Sequence, residues 1–107
     1  MNAGWLDLGP AGEFAADRHA VVLAGDARLV VVNLAGEFSV FPDFCTHDYV
    51  SFESGKLKDG NLVCPRHGGR FCARSGEARK APARHALPAY EVRLAEGRLL
   101  ARQSAAS

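Results

Sequence analysis

The stretch that decides the fold is C-T-H-D-Y-V-S-F-E-S-G-K-L-K-D-G-N-L-V-C-P-R-H, which runs from Cys45 to His67. It contains two short pairs of metal-ligating residue types, Cys45 with His47 and Cys64 with His67, and sixteen residues separate the pairs. Each pair offers one thiolate and one imidazole, both of which are ligands for transition metals. The stretch therefore predicts two loops that bring matched ligands to one metal centre.

The composition is that of a soluble globular protein. The chain has 107 residues, of which 48% are apolar and 23% charged, so we expect one domain with a single modest core. No apolar run approaches the roughly 20 residues of a membrane span, and the N-terminus lacks the basic start and apolar stretch of a signal peptide. We therefore expect a cytoplasmic protein, and we also expect it to be a monomer. Three cysteines are an odd number, which argues against a closed disulfide framework and favours metal ligation.

Charge is unevenly distributed along the chain, although the net charge is only +1. Residues 1–63 hold four Lys/Arg against nine Asp/Glu, whereas residues 64–107 hold nine against three. Most of the arginines are expected to be solvated, but Arg66, Arg70 and Arg74 flank the second ligand pair and could attract an acidic partner. No basic run with interleaved aromatic residues is present, so we expect no nucleic acid partner.

Short apolar runs separated by glycine turns recur along the chain, and helical periodicity is almost absent. This pattern predicts an all-β fold, an antiparallel sandwich or partial barrel. The predicted strands are Trp5–Leu8, Ala20–Ala24, Arg28–Asn33, Phe38–Phe41, Lys56–Lys58, Asn61–Cys64, Tyr90–Leu94 and Arg98–Ala101.

The spacing of these strands predicts one domain with two parts. Residues of about 1–42 and 86–102 supply the long strands of a base. Residues of about 43–85 contain short hairpins, glycines and both ligand pairs, so we expect them to form a small inserted subdomain that binds the metal centre. Loops carried on a rigid scaffold are where function is usually found.

Two kinds of metal centre are compatible with the ligands. Tetrahedral zinc accepts two cysteines and two histidines, but the single residue between Cys45 and His47 is unusual for a structural zinc site. A [2Fe–2S] cluster with mixed ligands takes two cysteines on one iron and two histidines on the other. That arrangement explains why each loop carries one residue of each type, so the sequence favours the cluster.

The ligand stretch resembles the cluster-binding motif of Rieske iron–sulfur proteins, in which Cys45, His47, Cys64 and His67 would bind one [2Fe–2S] cluster. The segments Gly68–Phe71, Arg74–Glu77 and Lys80–Ala83 also resemble the segments on the C-terminal side of the motif in that family. In length and layout the whole chain is similar to the free-standing ferredoxins of bacterial aromatic-ring-hydroxylating dioxygenase systems.

The resemblance implies an electron carrier without substrate chemistry of its own. Such a ferredoxin takes single electrons from an NADH-dependent flavoprotein reductase and delivers them to a terminal oxygenase. We expect neither a terminal oxygenase subunit, which would need a large catalytic domain, nor a respiratory Rieske subunit, which would need a membrane anchor. Two alternatives remain: the Rieske-like small subunit of an assimilatory nitrite reductase, and a zinc-binding interaction module.

The remaining candidate residues receive structural roles. Cys72 is expected at a buried strand position, and His19 and His85 are expected on the surface rather than as ligands. The resemblance implies that a loop containing Pro82 covers the cluster. Gly68 and Gly69 suit a loop whose amides approach the cluster sulfurs closely.

The resemblance also implies a low redox potential. High-potential members carry a disulfide between the two ligand loops, and the matching positions here are Val50 and Arg66. They also place two hydroxyl donors near the cluster, where this sequence has Gly69 and Phe71. We therefore expect a potential at the low end of the Rieske range.

Overall fold

The structure, a computed structural model, describes residues 4–45, 50–66, 68–81, 83 and 85–103. Within these ranges the chain forms ten β-strands and one short 3₁₀ helix, so the predicted all-β fold is confirmed. The strands are β1 (Leu6–Pro10), β2 (Arg18–Ala24), β3 (Ala27–Leu34), β4 (Glu37–Pro42), β5 (Lys56–Lys58), β6 (Asn61–Val63), β7 (Arg70–Cys72), β8 (Ala78–Lys80), β9 (Glu91–Ala95) and β10 (Arg98–Arg102), and the helix is Ala11–Glu13.

The strands form three antiparallel sheets. Their orders are β1-β10-β9, β2-β3-β4 and β5-β6-β7-β8. The first sheet joins the two ends of the described chain, because Leu6 on β1 pairs with Ala101 on β10. The second is a meander whose tight turns at Gly25 and Gly36 both have positive φ angles, which glycine adopts without strain.

The central strand β3 is buried on both faces. Leu29 and Val31 belong to a core cluster that also contains Leu99 of the first sheet, while Val30 and Val32 belong to a cluster on the opposite face. The continuous apolar run L-V-V-V in the sequence is explained by this double burial, since a strand with one solvated face would alternate. The meander is therefore the middle layer between the first sheet and the metal-site segment.

The four-stranded sheet buries one face and exposes the other. Leu57, Leu62 and Phe71 stand opposite one another across β5, β6 and β7, and they pack in or against the core cluster of Val30 and Val32. The same register places alternate residues of these strands on the outer face. This sheet thus holds the chain on either side of the second ligand pair against the meander.

Backbone hydrogen bonds of Gly76 connect the end of this sheet to the returning segment, the stretch around Leu87 that leads to β9. Its amide donates to the carbonyl of Cys72, and its own carbonyl accepts from the amide of Leu87. Its φ angle is +81°, and a Cβ at this position would lie 2.3 Å from the Leu87 carbonyl oxygen. Only glycine fits this position without displacing the backbone of the returning segment.

Each predicted strand matches an observed one to within one or two residues at each end. Trp5, Cys64 and Tyr90 lie just outside the strands predicted to contain them. β7 was expected only as the strand position of Cys72, and β8 and the 3₁₀ helix were not predicted. The four-stranded sheet lies within the predicted segment 43–85, but the division into base and subdomain stays a prediction. Among the described residues, no helix has the length and apolar character needed to cross a membrane.

Candidate metal centre

The two predicted cysteine ligands lie in the same apolar environment. Cys45 follows β4 and Cys64 follows β6, and their side chains are buried at 1% and 3% exposure. Both belong to the core cluster that contains Phe71, and neither forms a disulfide. His47 and His67 lie outside the described residues, so their part in the centre stays a prediction.

Backbone hydrogen bonds close both ligand loops at their bases. The amide of Cys45 donates to the carbonyl of Val50 at 2.8 Å, across the first loop. The amide of Cys64 donates to the carbonyl of Gly69 at 2.9 Å, and the amide of Gly68 donates back to the carbonyl of Cys64 at 3.2 Å. Gly68 has a φ angle of +73°, which allows this tight return of the chain. Each cysteine is thus fixed at the start of a closed loop.

The chemistry of the two cysteines fits an iron–sulfur cluster. Thiolates are soft, anionic ligands, and burying them without a cation would be costly. A cluster between the two loops would neutralise them, and the surrounding apolar side chains would exclude water. No group of three or more His, Cys, Asp or Glu side chains suited to a metal occurs within the described ranges. These ranges contain only the cysteine half of the predicted ligand set.

A buried carboxylate braces the first ligand loop. Asp43, whose side chain is fully buried, accepts hydrogen bonds from the Phe52 amide at 2.7 Å and the Ser51 hydroxyl at 2.5 Å. The guanidinium of Arg28, on β3, donates to the same carboxylate at 2.8 Å. This network was not predicted from the sequence. Its one signal was a charged residue inside the otherwise apolar run V-F-P-D-F-C before the first ligand.

Phe52 is a second anchor for the chain after the first loop. Its carbonyl oxygen accepts a hydrogen bond from Nε2 of His19 at 2.9 Å, and its ring packs edge to face on Phe71 with centroids 5.7 Å apart. His19 was expected on the surface, but it is half-buried where it contacts the backbone of Phe52. His85 is exposed, as expected.

Cys72 occupies a strand position, as predicted, but it is half-buried rather than fully buried. Burial alone would raise the pKa of its thiol. Hydrogen bonds from the Ser75 hydroxyl, the backbone of Arg74 and Ser75 and the side chain of Arg79 outweigh that effect and lower the pKa from 9.0 to about 7. The thiol is therefore more reactive than that of the inert core residue expected from the sequence.

The three arginines near the second ligand pair differ in their surroundings. Arg74 forms an ion pair with Glu37 of β4, so its charge is compensated. Arg66 is exposed within the second loop. Arg70 is half-buried on β7, and its Nε atom is buried without a hydrogen-bond acceptor among the described residues. Arg66 and Arg70 are therefore the two that remain candidates for contact with a partner.

Comparison with known sequences identifies the family. Residues 4–91 match the model of the Rieske [2Fe–2S] domain. The ferredoxin subunit of anthranilate 1,2-dioxygenase from Burkholderia cepacia is 30% identical over 97 residues, which cover 91% of this chain and 90% of that protein. The ferredoxin subunit of biphenyl dioxygenase from Pseudomonas sp. (strain KKS102) is 37% identical over 95 residues, 87% of this chain and 81% of that protein.

Solved structures agree with these matches. A chain in the complex of reduced oxygenase and oxidized ferredoxin of carbazole 1,9a-dioxygenase superposes with a TM-score of 0.85 and is 29% identical, over 92% of this chain and 93% of that one. The ferredoxin of Sphingomonas yanoikuyae B1 gives the same TM-score at 26% identity, over 92% of this chain and 98% of that one. The predicted Rieske-like fold is therefore confirmed.

Proposed function

This chain belongs to the Rieske [2Fe–2S] domain family, and we propose that it carries single electrons from an NADH-dependent flavoprotein reductase to the terminal oxygenase of an aromatic-ring-hydroxylating dioxygenase system. The observation that carries this proposal is the match to two dioxygenase ferredoxin subunits over 87% and 91% of this chain. Because the chain also spans most of each relative, the likeness extends beyond the ligand motif to the whole ferredoxin.

Family membership confirms three predictions made from the sequence. The chain is a Rieske-type ferredoxin, it holds one [2Fe–2S] cluster, and it is an electron-transfer component rather than an enzyme. The zinc-binding module is set aside, because the matching family is defined by an iron–sulfur domain. The two relatives favour a dioxygenase system over an assimilatory nitrite reductase.

We propose that Cys45 and Cys64 bind one iron and that His47 and His67 bind the other. When bound, the cluster supplies a one-electron couple, and neutral imidazoles in place of two thiolates raise its potential relative to all-cysteine ferredoxins. The protein's part is to hold the two thiolates in an apolar core, which excludes water from them. The placement in the cytoplasm, the monomeric state and the reductase partner belong to the same proposal.

Reconstitution with purified partners tests the proposal. The loaded ferredoxin is mixed with NADH, the reductase and the oxygenase of the anthranilate or biphenyl systems, in place of the native ferredoxin subunit. We expect NADH-dependent bleaching of the visible absorption with at least one reductase and product formation with at least one oxygenase. The proposed role would be contradicted if dithionite reduces the cluster but neither the anthranilate nor the biphenyl reductase does.

A further inference from the structure

All three lysines of the chain lie on the four-stranded sheet beside the second ligand loop. Lys56 and Lys58 are on β5 and Lys80 is on β8, and all three side chains are exposed. Arg70 stands between them, since Lys56 pairs with Val63, Val63 with Arg70 and Arg70 with Lys80. Directly opposite residues share a sheet face, so the outer face of this sheet is strongly basic.

This face contains a cleft that reaches the candidate metal centre. The cleft has a volume of about 300 Å³, and its lining includes Lys56, Lys58 and Arg70 together with Cys64 and Gly68 of the second loop. No aspartate or glutamate is among the described residues that line it. We call it the lysine cleft. It combines three cationic side chains with the backbone next to a proposed iron ligand.

The cations of the lysine cleft differ from the arginines of the fold that form ion pairs. Arg28 and Arg98 pair with Asp43 and Asp7 at 2.8 Å. In contrast, Nε of Arg70 is buried and has no acceptor within the described part of the chain. Arg70 is only half-buried and lines the cleft, and it forms no ion pair among the described residues, so an anion that enters the cleft would meet an uncompensated guanidinium charge.

We propose that the lysine cleft receives an acidic side chain of the protein that exchanges electrons with the cluster. A carboxylate is the acceptor that matches a guanidinium, and two neighbouring ammonium groups add favourable charge. Binding there places the partner against the second ligand loop. This inference rests on the proposed function, because it assumes an electron-transfer partner, but it concerns a surface that can be tested without electron transfer.

The first experiment measures anion binding with a probe that presents carboxylate oxygens. The lysines are converted to carbon-13 dimethyl-lysines, which keep their charge and give one NMR signal each. The probe is tris(oxalato)chromate(III), a paramagnetic complex that broadens signals near its binding site. The Arg93→Lys variant serves as the background, because it adds a reference signal on β9 in another sheet without changing the net charge.

We expect the Lys56 and Lys58 signals to broaden at lower probe concentration than the reference signal of the Arg93→Lys variant. In the Arg70→Gln variant, the probe concentration that broadens the Lys56 and Lys58 signals should rise roughly threefold at 0.01 M ionic strength. At high salt this difference between the variant and its background should shrink, because salt screens the charges. The cationic complex tris(ethylenediamine)chromium(III) should show no preference for the cleft. Equal broadening of all lysine signals, or no effect of Arg70→Gln, would overturn the proposal.

The second experiment identifies the occupant as a protein carboxylate. A carbodiimide is added to the ferredoxin together with a reductase or oxygenase that exchanges electrons with it, and the cross-linked lysines are located by mass spectrometry. We expect cross-links at Lys56 or Lys58. Their absence, with a partner that does exchange electrons, would overturn the proposal. Failure of electron exchange with every partner would instead count against the proposed function, since the chromium titration does not depend on it.

Discussion

The carboxylate of Asp43 accepts a 2.7 Å hydrogen bond from the backbone amide of Phe52, and this contact spans the first ligand loop. The two residues lie on either side of Cys45 in the sequence, and Arg28 connects the same carboxylate to the middle sheet. The network therefore fixes where the loop leaves and rejoins the rigid part of the fold. Residues that hydrogen-bond to a ligand loop commonly hold the metal ligand in the orientation that the metal requires.

The Asp43→Ala variant should be substantially less stable and should lose its cluster more readily. The change leaves the buried Phe52 amide without its acceptor and removes the closest acceptor of Arg28, whose guanidinium keeps only its 3.4 Å contacts with Ser51 and Glu53. We expect a cost of about 2–4 kcal/mol, or a fall in Tm of about 10–20 °C. Thermal bleaching of the visible absorption measures the effect. Glu91→Ala is the matched control, because it breaks the half-exposed pair with Arg102, which is worth about 0–1 kcal/mol. Equal Tm values for the two variants would show that the Asp43 network does not support the loop.

Replacing any one proposed ligand by alanine should abolish or severely weaken cluster assembly. The four positions are Cys45, His47, Cys64 and His67. The Cys72→Ser variant is the control, since Cys72 lies on β7 and is the one cysteine of the sequence outside the proposed ligand set. Visible absorption and iron content per chain check the result. Loss of the cluster in Cys72→Ser, or its retention in a ligand variant, would show that the ligand assignment is wrong.

Gly76→Ala should destabilise the protein more than the same change at Gly97. Both glycines have positive φ angles, +81° and +76°, so both changes incur the strain of a left-handed backbone, about 1–2 kcal/mol. At Gly76 the new Cβ would also lie 2.3 Å from the carbonyl oxygen of Leu87, whereas at Gly97 it would meet nothing within 4 Å. Thermal unfolding of the two variants separates strain from steric overlap. A larger loss at Gly97 would contradict the packing described for the returning segment.

The pH dependence of alkylation should reveal the lowered pKa of Cys72. Because the thiolate is the reactive form, its reaction with iodoacetamide should reach half its maximal rate near pH 7 rather than near 9. The Ser75→Ala variant removes the side-chain hydrogen bond that favours the thiolate, so its midpoint should move to higher pH. Mass spectrometry of the peptide that contains Cys72 follows this site alone. A midpoint near 9 in the unmodified protein would contradict the hydrogen-bonded environment.

The sequence predicted the hairpins well because their signals are local. The turns at Gly25, Gly36, Gly60 and Gly97 separate apolar runs at the places where the structure turns. The pairing of Leu6 with Ala101 could not be predicted, since nothing in a short edge strand specifies a partner at the other end of the chain. The Asp43 network was missed for the same reason, because its donors lie 15 residues before and 8 and 9 residues after the carboxylate. The ligands were predicted because their spacing is itself the signal, although His47 and His67 lie outside the described residues.

The redox potential should lie near the low end of the Rieske range, around −150 mV. Hydrogen bonds to cluster sulfur or to a ligand thiolate stabilise the more negative reduced state, and Gly69 and Phe71 provide no side-chain donor where the high-potential relatives have hydroxyls. Phe71 is fully buried in the core cluster of both cysteines, so a hydroxyl added to its ring would enter the apolar surroundings of the thiolates.

The Phe71→Tyr and Gly69→Ser variants should therefore each raise the potential, by on the order of 50 mV if the stabilisation is about tenfold for a one-electron couple. Phe52→Tyr is the matched control, because Phe52 is an equally buried ring in edge-to-face contact with Phe71, yet it does not correspond to a hydroxyl donor of the high-potential relatives. Protein-film voltammetry measures all four proteins. A midpoint well above zero in the unmodified ferredoxin, or the same shift in Phe52→Tyr as in Phe71→Tyr, would show that missing hydroxyl donors do not set the potential.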